Sequence, residues 1–452
     1  MFTEECTLDK IYQALNSLVL FQGIKQDEVC QSFTQIIAAM NDEKPKSPIH
    51  LVSEYHRLLG LLLQRTTQSS LPAIGDPWQD HLINLLLFDD NWFARQATAQ
   101  EEMPQLWLAA CLHDLNQLQV LYQEGFAGLA RIFGNLPGVF KLPGTTAASS
   151  AKDCSHPAGK QILELKQRLQ QSADWREQLP ALLHFYHSNG FGQFALYRAF
   201  RYEAEADGYN LKGIAQPDPI RLHQLIGYER QRNQVLDNTE RLLLGRPAHN
   251  LILYGDRGTG KSSTVKALLH EYGNQGLRLI QVPRRNLEGL QELTGYLSSL
   301  PLKFIIFIDD LSFEENEVDY KEFKTQLEGS LEQPSTNLCI YVTSNQRNLI
   351  KEYFGERENR LLDNGEVHAG DTMQEKLSLA DRFGLKITFI SPDKEAFLKI
   401  VRELAMQENL SLDAETLEKM ALQWTLWHNE RSGRTARQFI DHLKDRDNLE
   451  NL

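Results

Sequence analysis

The chain has 452 residues, and at roughly 100–200 residues per domain it divides into two to four domains. Hydrophobic residues make up 42% and charged residues 24%, which excludes a disordered chain, a collagen-like fibre and a disulfide-stapled miniature. Lys plus Arg number 47 and Asp plus Glu 60, for a net charge of −13, and the acid excess runs through both halves, so no basic tail or half grips nucleic acid by bulk charge.

The five cysteines, Cys6, Cys30, Cys111, Cys154 and Cys339, are odd in number, far apart and form no CxxC pair. This pattern reads as a reducing cytosol without a disulfide framework or a zinc site. His184 and His187 share a helix face, but no third ligand lies within a turn, so they read as a solvated or packed pair. The first ten residues are acidic and lack an apolar stretch, unlike a secretory signal. The apolar run at 82–88 is far short of the ~18–20 residues that span a bilayer. A soluble, cytoplasmic protein without a membrane partner is the expectation.

Apolar residues recur at helical spacing through 8–40 and 50–65 (Ile11, Leu15, Leu18, then Leu51, Tyr55, Leu58, Leu62) and again through 78–90 and 105–133. Residues 1–141 therefore read as an all-α domain. Residues 142–160 are small, polar and broken by Pro and Gly, as in a linker or long loop. Residues 161–208 return to helical patterning and read as a helical connector. From 209 to 392 the texture changes. Short apolar runs at Asn250–Gly255, Leu277–Pro283, Lys303–Asp310, Leu338–Asn345 and Gly384–Ser391 alternate with helical stretches. Continuous apolar runs of that length are strands buried on both faces of a parallel sheet, so this region is a three-layer α/β domain. Residues 393–452 carry amphipathic helical patterns and no strand.

Within the α/β region, Gly255-Asp256-Arg257-Gly258-Thr259-Gly260-Lys261-Ser262 satisfies G-x-x-x-x-G-K-[ST], between an apolar strand and a helix. Glycines let backbone N–H groups turn inward around phosphates, and the helix N-terminus adds its positive dipole end. Lys261 is expected on the β- and γ-phosphates and Ser262 on Mg²⁺, with Ser263 following in the same site. The ligand pair is ATP with Mg²⁺. The acidic strand end Asp309-Asp310 supplies the second half: Asp309 toward the metal, Asp310 where a base polarises the attacking water. Asp310 is one methylene shorter than the Glu frequent at that place, and Glu314 and Glu315 are alternative water-positioning groups. Asn345, with Thr343 and Ser344 behind it, ends the next strand, where it either bonds the γ-phosphate or the water, or caps a helix. Arg382 precedes the fifth strand, where it either acts in trans on a neighbouring subunit's nucleotide or forms a surface salt bridge. Arg357 and Arg360 are secondary choices for that role. Arg437 is placed to reach back from the last helices to the nucleotide, with Arg434 as runner-up and a solvated basic turn as the competing reading.

Taken in order, GDRGTGKSS, FIIFIDDLSFEE, YVTSN, LADRF and GRTARQF resemble an AAA+ ATPase. More narrowly, WQDHLINLLLFDDN and FALYRAFRYE with the DDLSFEE variant resemble the bacterial predicted ATPases of the domain-of-unknown-function 815 family. The resemblance implies a sheet in the order five-one-four-three-two, a C-terminal helical lid, and Leu225, Ile226 and Gly227 beside the adenine. It also implies homo-oligomers whose subunits meet one another's sites. A similar Asp-Asp pair in the helicase-loader branch points toward nucleic-acid-related work. The expected function is an ATPase switch that remodels a partner held by the N-terminal helical domain, with a nucleic-acid-associated complex open as that partner. Arg284 and Arg285 are the residues placed to touch phosphates, or else form a solvated turn. A threading unfoldase is disfavoured because PRRNLEGLQEL, after the second strand, lacks an aromatic pore residue. A nucleotide-gated scaffold with little hydrolysis is the third reading.

Overall fold

A computed structural model describes residues 2–40, 47–69, 71–99, 102–134, 139–140, 159–205, 208–312, 323, 335–345, 382–410, 412–428 and 430–450. The proposed loop at 142–160 falls almost wholly outside them, as do Glu314, Glu315, Arg357 and Arg360. The chain divides into two compact units, residues 1–196 and 197–452. No helix among the described residues is long and apolar enough to cross a membrane.

The first unit is helical: α1 (Phe2–Asn16), α2 (Glu28–Met40), α3 (Pro48–Gln68), α4 (Pro77–Leu87), α5 (Trp92–Ala99), α6 (Gln105–Val120), α7 (Phe126–Phe133), α8 (Gly159–Gln171), α9 (Leu179–Asn189) and α10 (Gly192–Leu196). Capping is explicit at α4, where Asp76 and Gln79 form a reciprocal capping box ahead of Pro77. A π-turn at Leu121–Gly125 joins α6 to α7. It makes room for Trp78, whose indole N–H donates to the Leu121 carbonyl at 2.9 Å while its ring stacks on Phe33 at 4.3 Å. Two buried carboxylates are fully answered. Asp114 accepts from the N–H groups of Val19, Leu20 and Phe21 at 2.7–3.1 Å. Asp80 pairs with Lys166 at 2.7 Å. Such pairs are costly to leave half-made, which ties the α4 and α8 register together.

His184 and His187 are both exposed, and no third ligand joins them among the described residues. A different trio meets instead. His81 of α4 lies 2.8 Å from Asp27, and Cys30 completes a group whose ligand-type atoms fall within 4.8 Å. Spacing could not reveal it, because His81 is brought in from another helix. Asp27 there works as the cap of α2, accepting from the Val29 and Cys30 N–H groups. Burial pushes the Cys30 thiol well up.

The second unit is built on β1 (Ala199–Glu205), β2 (Gly208–Ile214), β3 (Leu251–Gly255), β4 (Leu277–Gln281), β5 (Lys303–Ile308), β6 (Leu338–Ser344) and β7 (Leu385–Phe389). They form one sheet in the order β2-β1-β4-β5-β6-β3-β7. The β1–β2 hairpin is antiparallel and every other pairing is parallel. The last five strands of the sheet order, read from β7, give the five-one-four-three-two arrangement. The hairpin corrects the helical reading of residues up to 208. Ala, Arg and Glu in AFRYEAE favour helix, but Phe200 and Tyr202 alternate with exposed Arg201, and β1 has a strand on either side. Pairing and a period of two override local propensity. The sheet and its hairpin thus begin near residue 199, upstream of the expected start at 209.

Helices α11 (Glu229–Leu243) and α12 (Lys261–Tyr272) cover one face of the sheet, through Val235, Leu242, Val265 and Leu268 packed on Leu251, Leu253, Phe307 and Ile387. On the other face α13 (Leu290–Ser298) packs on β6. The C-terminal helices α14 (Lys394–Gln407), α15 (Ala414–His428) and α16 (Gly433–Glu450) share their own core of Phe397, Ile400, Val401, Leu404, Leu417, Phe439 and Ile440. Ile226 packs against that core from outside the lid.

Candidate functional site

The site forms where β3 ends. Gly255 has φ +133°, and a Cβ there would stand 1.9 Å from the Phe389 carbonyl of β7. Only glycine lets the loop leave the sheet that close to its neighbour. The Asp256 N–H donates to that same carbonyl at 2.9 Å. Gly260, at φ +89°, sets the left-handed turn that starts α12. Between them the loop folds on itself, with the Thr259 hydroxyl donating to the Asp256 carbonyl at 2.8 Å. The N-terminus of a twelve-residue helix then faces the loop.

Lys261 is drawn into this loop. Its Nζ donates to the Gly255 carbonyl at 2.9 Å, to the Asp256 carbonyl at 2.6 Å and to Asn345 Oδ1 at 3.1 Å. Burial lowers its pKa, the charges of Asp256, Asp310 and Asp309 oppose that, and Arg434 adds to the lowering. The Ser262 hydroxyl donates to Asp309 Oδ1 at 2.5 Å. Thr343 donates to the same oxygen at 2.6 Å and accepts from the Asp310 N–H at 2.9 Å. Asp310 itself is left-handed, at φ +52°, a conformation that costs a non-glycine residue unless its surroundings hold it. Here the hold is Thr343 on its N–H and the Asn345 amide, which donates to Asp310 Oδ1 at 2.6 Å. Because β6 lies between β3 and β5, its tip falls between the loop and the acidic pair. That adjacency brings Lys261, Asn345 and Asp310 into one chain of hydrogen bonds.

A cavity of about 760 Å³ opens from these groups, within the size range of small-molecule sites. Its lining is polar around the loop, with Arg257, Gly258, Thr259, Gly260, Lys261, Ser262, Ser263, Asp309, Asp310 and Asn345, and apolar where Leu225, Ile226 and Gly227 meet Ile400 and Leu404 of the lid; Phe389, beside Gly255, also lines it. Gly255 and Asp256 stand behind the lining. The Asp256 carboxylate accepts from the Ser391 N–H at 2.6 Å, which, with the Ser391 hydroxyl, holds its pKa low. Asp256 thus fastens the loop to the end of β7. The Ser262 hydroxyl and Asp309 carboxylate are hard oxygen donors at 2.5 Å from each other, a donor set that suits Mg²⁺.

The lid supplies two arginines, and they differ. Arg434 is bonded to the loop through its N–H to the Gly258 carbonyl at 3.0 Å. Arg437 also lines the cavity, but its guanidinium is held by Glu408 at 2.7 Å and Asp441 at 3.3 Å. The main chain of Arg434, the runner-up of the sequence reading, is thus joined to the loop. Arg382 is exposed and precedes β7, whose first residue pairs with Leu251 at the start of β3. It lies at the far end of the strands from the loop and outside the cavity lining.

Two residues do more than their sequence signal indicates. Thr343 stands behind Asn345 in the sequence reading, yet it joins both aspartates. Arg232 of α11 donates to the carbonyls of both Leu225 and Gly227. The signal for Thr343 was its position on a strand tip two residues before Asn345; Arg232 had none.

The strand order, the loop at the end of β3, the acidic end of β5 and the separate helical lid make this unit an AAA+ P-loop NTPase fold. Solved structures similar to the chain include a mutant RuvB of Thermotoga maritima, at 13% identity and TM-score 0.36, covering 52% of this chain and 67% of that one. A replication initiator DnaA bound to AMPPCP and single-stranded DNA matches at 20% identity and TM-score 0.33, covering 50% and 65%. AMPPCP-bound DnaA from Aquifex aeolicus matches at 19% and 0.34, covering 50% and 66%. These scores are too low to add to the fold assignment, which rests on the topology. No curated protein matches the chain. Residues 195–447, more than half of the length, match a family described as a protein of unknown function, DUF815, and the chain belongs to that family.

Proposed function

We propose that this protein binds ATP with Mg²⁺, hydrolyses it to ADP and phosphate, and uses the resulting lid movement to remodel a partner. The observation that carries this reading is the single network at the polar end of the cavity. Ser262 meets Asp309 at 2.5 Å, and Lys261, Asn345 and Asp310 are linked at 3.1 and 2.6 Å. Ser262 and Asp309 are the residues to hold Mg²⁺, which supplies charge neutralisation across the phosphate oxygens. The Lys261 ammonium exchanges its loop carbonyls for phosphate oxygens, which answer its charge more strongly. Asp310, within hydrogen-bond reach of Asn345, orients a water and takes its proton. Asn345 is shared between Lys261 and Asp310, so the two groups respond to the same phosphate. Arg434, fastened to the loop by its N–H, is the lid group to register phosphate state, with Arg437 held in reserve by Glu408. Arg382, away from its own cavity, is the group offered to a neighbouring subunit in a homo-oligomer.

The test is Lys261→Ala in nucleotide titration of the full chain. ATP affinity is expected to fall by at least about a hundredfold with the thermal melt retained; equal affinity in the variant refutes the site. A nucleotide-gated scaffold with little hydrolysis is the second reading. It is favoured by one observation, that the Asp310 carboxylate is already bonded to Asn345. Single-turnover phosphate release separates the two: binding without release supports the scaffold. The partner of the helical unit, a nucleic-acid complex included, is addressed by affinity capture with an ATP-loaded, hydrolysis-blocked variant.

A further inference from the structure

A triphosphate lying against Lys261 and Ser262 puts its base at the apolar end of the cavity, beside Ile226, Ile400 and Leu404. The turn at that end is held by one side chain. The Arg232 guanidinium donates through Nη1 to the carbonyl oxygens of Leu225 and Gly227. Its side chain is only 15% exposed, with Glu229 at 3.8 Å. Gly227 and Tyr228 follow at φ +78° and +61°, so the backbone there needs support to keep its course. Ile400 of the lid closes on Gly227 from the other side, 3.3 Å from where a Cβ would stand.

A planar trans peptide directs its N–H opposite to its C=O. With the Leu225 carbonyl on Arg232, the Ile226 N–H faces away from the guanidinium. Among the described residues it has no acceptor, and the Ile226 carbonyl has no donor. Arg232 thus takes both flanking carbonyls out of play. What is left on a cavity-lining residue is one backbone donor and one backbone acceptor.

We propose that Arg232 is the positioning residue that makes this pocket select adenine over guanine; the proposal rests on the nucleotide-binding reading above. Adenine carries an amino donor at N6 beside an acceptor at N1. The Ile226 N–H donates to the ring nitrogen, and the Ile226 carbonyl accepts from the amino group. Guanine carries the reverse at the same places, an O6 acceptor beside an N1–H donor. To receive guanine the Ile226 backbone must turn over, which breaks the Arg232 bonds and leaves a mostly buried guanidinium with the distant Glu229 at 3.8 Å in place of two carbonyls. A site built from hydrogen bonds rejects the mismatched analogue far better than an apolar slot does.

The test is titration of the full chain with fluorescent ATP and GTP derivatives, using wild type, Arg232→Ala and Arg232→Lys. The wild type is expected to prefer ATP by at least about tenfold. Arg232→Ala is expected to bring that preference within about threefold, mainly by weakening ATP, while the preference for triphosphate over monophosphate stays. Arg232→Lys, which lacks the planar fork, is expected to fall between the two. A wild type that binds ATP and GTP alike overturns the proposal and leaves nucleotide binding standing. So does an Arg232→Ala chain that keeps the full preference for ATP. A wild type that binds neither nucleotide overturns the functional reading itself. Where Arg232→Ala loses its cooperative melt, Arg232→Lys decides: an undiminished ATP preference in that variant overturns the proposal.

Discussion

Thr343→Val is the sharpest probe of how the acidic pair is held. The side chain is 2% exposed, and valine has nearly the same shape, so the change removes hydroxyl chemistry and little packing. Two bonds are lost. The first is the Thr343 hydroxyl to Asp309 at 2.6 Å, a bond to a charged acceptor worth about 1.5–3 kcal/mol. The second satisfies the Asp310 N–H at 2.9 Å, and leaving such a donor without a partner costs about 1–3 kcal/mol. Asp310 borders the cavity, so water recovers part of that, and the expected destabilisation is about 2–3 kcal/mol. For a unit of this size that lowers the melting temperature by about 5–10 °C. The second consequence is functional. Without the Thr343 hydroxyl, Asp310 loses the partner of its N–H and keeps the Asn345 bond to its carboxylate, and among the described residues Asp309 keeps the Ser262 hydroxyl. The Mg²⁺ dependence of ATP binding should then weaken while Mg²⁺-free binding is kept. Nucleotide titration with and without Mg²⁺, alongside a melt, reads both, and Thr343→Ser should restore them because it returns the hydroxyl. A valine variant with the wild-type melt and Mg²⁺ response refutes the assignment.

Asp310→Asn is expected to slow phosphate release by at least about a hundredfold with ATP affinity kept; unchanged single-turnover release moves the base elsewhere. Arg382→Ala is expected to lower turnover by at least about tenfold only at concentrations where the chain assembles. A monomer with full activity, checked by sedimentation beside the assay, contradicts action in trans. Glu408 is held below its ordinary 4.5 first by the Lys444 hydrogen bond and then by Arg437, against the opposing effect of burial. A depressed folded value contributes stability that is complete above 4.5 and is lost as pH falls through the folded value. Glu408→Gln should therefore melt below wild type at neutral pH, with the gap closing as the pH drops beneath 4.5; a constant gap argues against the linkage.

The strands from Asn250 to Ser391 and the loop at Gly255–Ser262 were legible because their signals are local. A buried parallel strand must be apolar throughout, and a phosphate loop must carry glycine where the backbone turns inward. Asp309 could be matched to Ser262 because Asp309 directly follows β5 and Ser262 opens the helix that follows β3, two strands of one sheet. The strand at Ala199–Glu205 was hidden because its residues favour helix in isolation, and only pairing to β2 and β4 outweighs that. That Glu408 takes up the Arg437 guanidinium was equally out of reach, because Glu408 ends a different helix, 29 positions upstream.

From the order of its residues alone, this chain determined five of the seven strands among the described residues and the turn that carries the G-x-x-x-x-G-K-[ST] pattern, since both follow from rules that act within about ten neighbouring positions. Tertiary structure decided the rest: that Thr343 joins two aspartates, that Asn345 stands between Lys261 and Asp310, and that Arg232 holds the turn at Leu225–Gly227. Those contacts depend on which strand lies beside which and on how a helix meets a turn. Hydrogen bonds are decided by distance in space, and a sequence separation of 84 between Lys261 and Asn345 carries no record of the 3.1 Å between Nζ and Oδ1.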